Sequence, residues 1–434
     1  MRITKIKPAR SFELELDCIA TDKSISHRSA IFALLAKAPC KVEGYLMGED
    51  TLHTLDIARA LGLKVEEEGK AFIFTPPQLI KEPHSILDCG NAGTAMRLFA
   101  GLLSGVNGHF VLSGDKYLNE RPMSRITTPL NNIGACISGR EGNAYAPLSI
   151  KGARLESFDY TSKIASAQVK SAMILAGLHS RGRSRFYEPF LSRNHTENML
   201  QAMGVKMQTK VYENGGYEVV FDSLEQALEP FSLKIPADPS SAFYFALAAC
   251  VLRSRVKLKN VLLNKTRIEA FEVLQRMGAE VTYHRYDCAY EEIGDIEVLG
   301  KALKGIKIEH ALAWLIDEIP ALSICFAIAE GVSSVRNAKE LRVKESDRIH
   351  AIITNLRAMG IECEEFEDGF SVYGGELKSA KVDSFGDHRI AMSFAIALLA
   401  CGGEVRDSAC IDVSFPQFLK HLSHITSVEN VYES

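Results

Sequence analysis

Residues 22–38 read DKSISHRSAIFALLAKA. Polar and charged side chains crowd the first turn, and the stretch that follows is apolar on nearly every helical face. A helix of that kind belongs in a core. The construction returns five more times, as NAGTAMRLFAGLLSG from Asn91, SAQVKSAMILAGLHS from Ser166, DPSSAFYFALAAC from Asp238, DEIPALSICFAIAEG from Asp317 and GDHRIAMSFAIALLA from Gly386. Asp, Asn and Ser at these starts are good N-caps. A second pattern interleaves with the first: a helix tail ending in Gly and followed by a strand-like segment. It occurs as ALGLKV at Gly62, NIGACI at Gly134, AMGVKM at Gly204, RMGAEV at Gly278 and AMGIEC at Gly360, at a spacing of roughly 70 to 80 residues. Each Gly suits a helix end that needs a left-handed backbone. FIFTP, VKMQTKVYENGGYEVVF and ECEEFEDGFSVYGG carry strand patterning with NG or DG turns, which predicts hairpins. Six buried helices divide as three and three. The chain therefore reads as α/β, with two similar domains of three repeated units, each unit having one buried and one amphipathic helix.

Composition agrees with that count. The chain has 434 residues, 47% apolar and 24% charged, which is a globular profile with length for about two domains. The net charge of −4 and the lack of a basic stripe argue against a nucleic-acid binder. Ten cysteines run from Cys18 to Cys410 without a C-x-x-C pair or zinc spacing. Cys250, Cys325 and Cys401 lie in apolar runs, so the cysteines read as reduced core thiols of a cytosolic protein. The first twenty residues hold no apolar signal core. The longest apolar run, Ala391–Cys401, is too short to span a bilayer.

The helix starts concentrate the chemistry. In a three-fold domain with parallel buried helices, all three N-termini emerge on one face. Two such faces turned together would aim six positive ends at one cleft, a ready anion site. Ser24 and Arg28 are four apart and share a helix face; the plainer reading is a solvated helix start. GNAGTAMR (90–97) brings two glycines to a helix start, where backbone N–H groups could meet an anion, but it has neither a P-loop nor a dinucleotide-fingerprint spacing. Arg121 in NERPMSR is a loop arginine, a type that is ordinarily solvated. RVKESDR (342–348) is read as opening a helix, with Lys344 and Glu345 spaced to face Arg348. It is either an exposed ion-paired face or an acid held among cations, able to move a proton. Arg389 in GDHR stands in the first turn of a buried helix, where a cation opposes the dipole; an anionic ligand would explain it.

The segments DKSISHR, GNAGTAMR, ERP, SAQ, RVKESDR and GDHR occur in the order found in 5-enolpyruvylshikimate-3-phosphate synthases, and the chain resembles that family from Lys23 to Pro416. The resemblance implies the enolpyruvyl transferase fold: two inverse α/β domains, each with three βαβαββ-type units in pseudo-three-fold arrangement, closing over a cleft that holds the active site. One domain would comprise residues 1–19 and 236–434, the N-terminal strand joining the C-terminal part, and the other residues 20–235. GDKY (114–117), SAQV (166–169), RNHTE (193–197) and NKTR (264–267) resemble the class II branch, whose members tend to be less sensitive to glyphosate. Leu98 stands where many relatives have Pro, Ala167 where class I enzymes have a second Ser, and Val413 where class I enzymes have Lys. Gly93 is kept, although some tolerant relatives carry Ala there.

The reaction implied by the resemblance joins shikimate-3-phosphate to phosphoenolpyruvate and releases phosphate, by addition and then elimination. Together the substrates carry ~5–6 negative charges, and the arginines among the site residues suit bidentate recognition of phosphate and carboxylate. On this resemblance Lys23, Ser24, Arg28, Ser166, Gln168, Arg193, Asp317 and Lys344 hold shikimate-3-phosphate, with Ala167 contributing backbone alone. Lys23, Asn91, Gly93, Arg121, Gln168, Arg348 and Arg389 hold phosphoenolpyruvate. Asp317, Glu345 and Lys23 are the implied catalytic groups. No metal or organic cofactor is implied; the partners are the two small substrates, with glyphosate as an inhibitor, and the chain is expected to be a cytoplasmic monomer that binds neither nucleic acid nor membrane. The sister enzyme acting on UDP-N-acetylglucosamine typically uses a loop Cys as acid, and the comparable loop here, GDKYLNERP, has none. An RNA-processing protein on a similar scaffold would want a basic surface. A non-catalytic sugar-phosphate sensor would have no need of the Asp317/Glu345 pair.

Overall fold

The repeating unit is plainest between Asp159 and Asp222. A strand at Asp159–Thr161 leads into the helix Ala167–Gly177, a strand at Arg183–Glu188, the helix His195–Ala202, and a hairpin of Met207–Val211 with Tyr217–Asp222. The first two strands are parallel and the others antiparallel, in the spatial order first, second, fourth, third. A parallel pair needs a long crossover, and the buried helix supplies it. The same order recurs in the sheets spanning residues 87–151 and 307–373. The computed structural model describes residues 1–17, 19–286 and 290–433, and among these six four-stranded sheets repeat the pattern.

Three of the sheets borrow a strand from elsewhere in the chain. Ser232–Lys234 lies parallel to Cys40–Glu43 and supplies the missing first strand of that sheet. Glu13–Leu16 does the same beside Arg255–Leu262, pairing Leu14 with Val256. Arg2–Ile6 takes the fourth-strand place between Gly403–Arg406 and Val428–Tyr432, where Thr4 faces both Val405 and Asn430. These exchanges make two compact units, Thr21–Ile235 and Met1–Ala20 with Pro236–Ser434.

All six apolar segments form helices, at Lys23–Ala33, Gly93–Ser104, Ala167–Gly177, Pro239–Val251, Ile319–Ala327 and His388–Cys401. Four are capped as expected, with the side chains of Asp22, Ser166, Asp238 and Asp387 accepting from first-turn N–H groups. The other two helices have Ala92 and Glu318 at the N-cap position, without a side-chain cap bond, and the Asn91 and Asp317 side-chain oxygens meet arginines instead. The five repeat glycines have φ between 81° and 113°, the left-handed region, and each ends the amphipathic helix of its unit. A sixth copy is missing because the sixth such helix, Phe418–Leu422, is only five residues long.

Cys250 and Cys325 are buried, Cys401 and Cys410 partly so, and Cys136 is exposed, against the expectation of core thiols throughout. Cys18 and Cys288 lie outside the described residues. Among the described residues no helix is long and apolar enough to cross a membrane.

Candidate active site

In the Thr21–Ile235 unit, Lys23 opens its helix and its ammonium pairs with Asp50, near the start of the helix Glu49–Ala60. Arg28, one turn on, is buried. Its Nε donates to Thr196 Oγ1 at 2.8 Å, Nη2 to Ser171 Oγ at 2.9 Å and Nη1 to the Ser24 carbonyl at 3.1 Å. The head of this helix is thus not a solvated one. His27 lies buried beside it with Nδ1 2.6 Å from Thr54 Oγ1. Burial, then the neighbouring Lys23 charge, pushes its pKa down to about 3, so the ring is neutral near pH 7.

A second group gathers at the start of the helix Gly93–Ser104. Arg121 donates to Asn91 Oδ1, and Arg97 donates to Gln168 Oε1. Gln168 Nε2 in turn donates to Thr94 Oγ1 at 3.1 Å. The two glycine N–H groups are engaged within the turn: Gly90 N–H donates to Asp88 Oδ1 at 2.8 Å and Gly93 N–H to the Asn91 carbonyl at 3.0 Å. What Gly93 contributes is room. A Cβ there would stand 3.3 Å from Arg97 Nη1 and 3.5 Å from Arg121 Nη1.

Ser166 caps the next helix through its hydroxyl, and its N–H donates to Glu188 Oε2 at 3.2 Å. Ala167 follows with no polar side chain. Glu188 also accepts from Ser192 N at 2.8 Å and from Lys170 Nζ at 2.7 Å, and Lys170 reaches Glu197 Oε1 at 2.8 Å. Arg193 follows Ser192 directly, so its loop is tied to the carboxylate that holds Ser166.

The Pro236–Ser434 unit assembles its group around Arg348, which is 1% exposed. Its Nε donates to Asp387 Oδ2 at 2.8 Å, Nη2 to Glu345 Oε2 at 2.6 Å and Nη1 to Asp317 Oδ1 at 3.4 Å. Arg389 reaches the Asp317 carbonyl at 3.1 Å and its Oδ2 at 3.6 Å. Burial opposes both guanidinium charges, but it is outweighed, by Asp387, Glu345 and Asp317 at Arg348 and by Asp317, Tyr244, Glu318 and Asp238 at Arg389, so both pKa values rise above the ordinary arginine range. The cation that opposes the helix dipole at Arg389 is thus matched by Asp317. Lys344 pairs with Glu340 at 3.1 Å rather than facing Arg348. The expected helix start at RVKESDR is corrected as well: Lys339–Val343 is a 3-10 turn, and Asp347 caps a helix that begins at Arg348, leaving Lys344 and Glu345 in the loop.

Sequence reading passed over several participants. Arg97 and Asp387 stood inside motifs already singled out. Lys170 was legible as a lone cation in an apolar helix, which demands partners. Ser171 and Thr196 lie within SAQVKSAMILAGLHS and RNHTE, whereas Asp50 carries no local signal; only the fold brings the three to Arg28 and Lys23. Among the described residues no group of three or more His, Cys, Asp or Glu side chains could hold a metal ion.

Relatives share this framework over the whole chain. A 3-phosphoshikimate 1-carboxyvinyltransferase of Helicobacter hepaticus is 72% identical, with 100% of each chain covered. Proteins of the same name from Nitratiruptor sp. and Wolinella succinogenes are each 56% identical, the first covering 99% of both chains and the second 100% of this chain and 99% of its own. The solved EPSP synthase of Acinetobacter baumannii superposes with a TM-score of 0.87 at 35% identity over 100% of both chains. The model of one family, described as EPSP synthase (3-phosphoshikimate 1-carboxyvinyltransferase), matches residues 12–422, a span that takes in every helix start described above. The chain therefore belongs to the EPSP synthase family.

Proposed function

We propose that this chain transfers the enolpyruvyl group of phosphoenolpyruvate to the 5-hydroxyl of shikimate-3-phosphate and releases inorganic phosphate, on the shikimate route to chorismate and the aromatic amino acids. The observation that carries the reading is the single guanidinium of Arg348 holding both Asp317 and Glu345, in a chain of this family. Two acids tethered to one buried cation can exchange protons beside an anion that the same cation attracts.

The 5-hydroxyl oxygen attacks C2 of phosphoenolpyruvate while C3 takes up a proton, giving a tetrahedral intermediate. Asp317 accepts the hydroxyl proton; Glu345 and Lys23 serve the proton at C3. In the second half a C3 proton returns, the C2–O bond to phosphate breaks, and phosphate leaves with the bonding electrons. Ser24, Arg28, Ser166, the Ala167 backbone, Gln168, Arg193 and Lys344 hold shikimate-3-phosphate; Asn91, Gly93, Arg121, Arg348 and Arg389 hold phosphoenolpyruvate. Substrate carboxylate and phosphate compete with Asp317 and Glu345 for arginine N–H donors, so binding loosens both acids as it positions the reactants. Fixed cations oriented before the charge moves stabilise the intermediate. Each compact unit is one domain, and the chain works as a cytoplasmic monomer.

Purified protein mixed with shikimate-3-phosphate and phosphoenolpyruvate should release phosphate, and should release none when UDP-N-acetylglucosamine is the only acceptor. Release with the nucleotide sugar alone would move the chain to the sister activity; release with neither acceptor from folded protein would remove the proposal.

A further inference from the structure

The NKTR run at 264–267 has no part in the chemistry above, yet its side chains lead to the residue beside Asp317. Arg267 is 2% exposed. Its Nη2 donates to Asp238 Oδ1 at 2.9 Å and to Ser240 Oγ at 3.1 Å. The same Asp238 oxygen caps the helix Pro239–Val251 through Ser240 N at 2.7 Å. The Ser240 hydroxyl, receiving from Arg267, donates to Glu318 Oε1. Glu318 is 3% exposed and flanks the helix Ile319–Ala327; its N–H donates to the Leu315 carbonyl at 2.8 Å and its own carbonyl accepts from Leu322 at 2.8 Å. The rest of the run is anchored too. Asn264 Nδ2 donates to Glu291 Oε2 at 2.8 Å, Asn264 Oδ1 accepts from Thr266 N at 2.9 Å, and the Lys265 ammonium lies 5.8 Å from the ring centre of Trp314, three residues before Asp317.

We propose that Arg267, Ser240 and Glu318 form a positioning relay that sets the placement of the Asp317 carboxylate through the peptide they share. This rests on the reading of Asp317 as the base. Asp317 is held by its side chain to Arg348 and Arg389, but those arginines are also the groups that phosphoenolpyruvate engages. When substrate draws them away, the carboxylate needs a second constraint. Glu318, pinned to the start of a neighbouring buried helix, supplies it without touching substrate. Ser240 is the link to test, because its hydroxyl accepts from Arg267 and donates to Glu318.

The test compares steady-state kinetics and thermal unfolding of Ser240→Ala, Ser240→Thr, Asp317→Ala and the double variant Ser240→Ala/Asp317→Ala. The relay predicts that Ser240→Ala lowers kcat by about tenfold or more, since misplacing a catalytic group by an ångström can cost ~100-fold. KM for both substrates should stay within about twofold, the pattern of an interaction acting only in the transition state. Ser240→Thr, which keeps the hydroxyl, should recover most of the loss. In the Asp317→Ala background Ser240→Ala should cause no further fall, because residues acting through one another are not additive. Wild-type kcat in Ser240→Ala, equal losses in both backgrounds, or a Thr variant as slow as Ala would overturn the relay. Should Ser240→Ala unfold at the assay temperature, Arg267→Lys keeps the charge but loses the planar fork; the same loss confined to kcat is expected, and a wild-type kcat overturns the relay. An Asp317→Ala enzyme that turns over normally would instead sink the role of Asp317 itself.

Discussion

Replacing Lys170 by Met should destabilise the Thr21–Ile235 unit by about 3–5 kcal/mol, the cost of removing one member of a buried ion cluster. Lys170, Glu188 and Glu197 are each fully buried, with the ammonium 2.7 Å from one carboxylate and 2.8 Å from the other. At an effective dielectric near 20, each pair at such a distance is worth roughly 6 kcal/mol of Coulomb energy. Desolvating the three ions costs several kcal/mol apiece and consumes most of that. The intact cluster is therefore near neutral in net stability, whereas deleting its cation strands two carboxylates that have already lost their water. Met keeps the volume of the stem, so cavity formation adds little. The exposed pair Lys37–Glu229 is the internal control: at 2.6 Å it is as short, but both side chains are about half exposed. Lys37→Met should cost about 0–1 kcal/mol. Thermal unfolding followed by far-ultraviolet circular dichroism separates the two. A domain of this size loses about 2–4 °C per kcal/mol, so Lys170→Met should fall by about 6–20 °C and Lys37→Met by at most about 4 °C. Equal shifts would refute the argument that burial, rather than distance, sets the worth of the pair.

Gly93→Ala should fold normally and raise KM for phosphoenolpyruvate by about tenfold, roughly 1.4 kcal/mol, because its methyl would stand within 3.5 Å of guanidinium nitrogens of both Arg97 and Arg121; an unchanged KM would show that no anion approaches there. His27→Gln should flatten the loss of stability in acid. The folded pKa of about 3 lies below the ordinary 6.5, so as pH falls below 6.5 the unfolded chain binds a proton that the folded chain refuses. Stability should drop by up to about 1.4 kcal/mol per pH unit in that window, and denaturant unfolding at pH 7 and pH 5 should show a smaller drop in the variant. Cys136, exposed, should react with a thiol reagent in the native protein, whereas Cys250 and Cys325, buried and with pKa values raised by that burial, should react only after denaturation; peptide mapping reads the order.

Much of the fold was legible because a buried helix imprints itself on sequence. Its apolar residues run all round, its polar residues retreat to the start, and Gly marks the end of the helix that follows. These are local rules, satisfied within ten or fifteen residues, so the helices, hairpins and left-handed glycines followed from reading alone. Lys23, Arg28 and Arg389 stand out in the sequence for the same reason, as charge near the head of an apolar helix, whereas Arg121, Arg193, Lys344 and Glu345 lie in loops. What the chain could not show is what each charge meets. Asn91 and Asp317 look like caps, but the N-cap position of each helix falls one residue later, and their side-chain oxygens meet arginines distant in sequence. RVKESDR reads as a helical ion-pair face, yet Asp347 caps late and leaves Glu345 in a loop, where it still reaches Arg348. The strands that complete three of the six sheets come from residues 2–6, 13–16 and 232–234, none near its partner in sequence. Helix formation is decided by neighbours along the chain, and the sequence records those neighbours directly. The resemblance implied that the N-terminal strand joins the C-terminal part, but which sheets the exchanged strands enter, and which buried ions pair, are decided by neighbours in space that only the tertiary structure brings together.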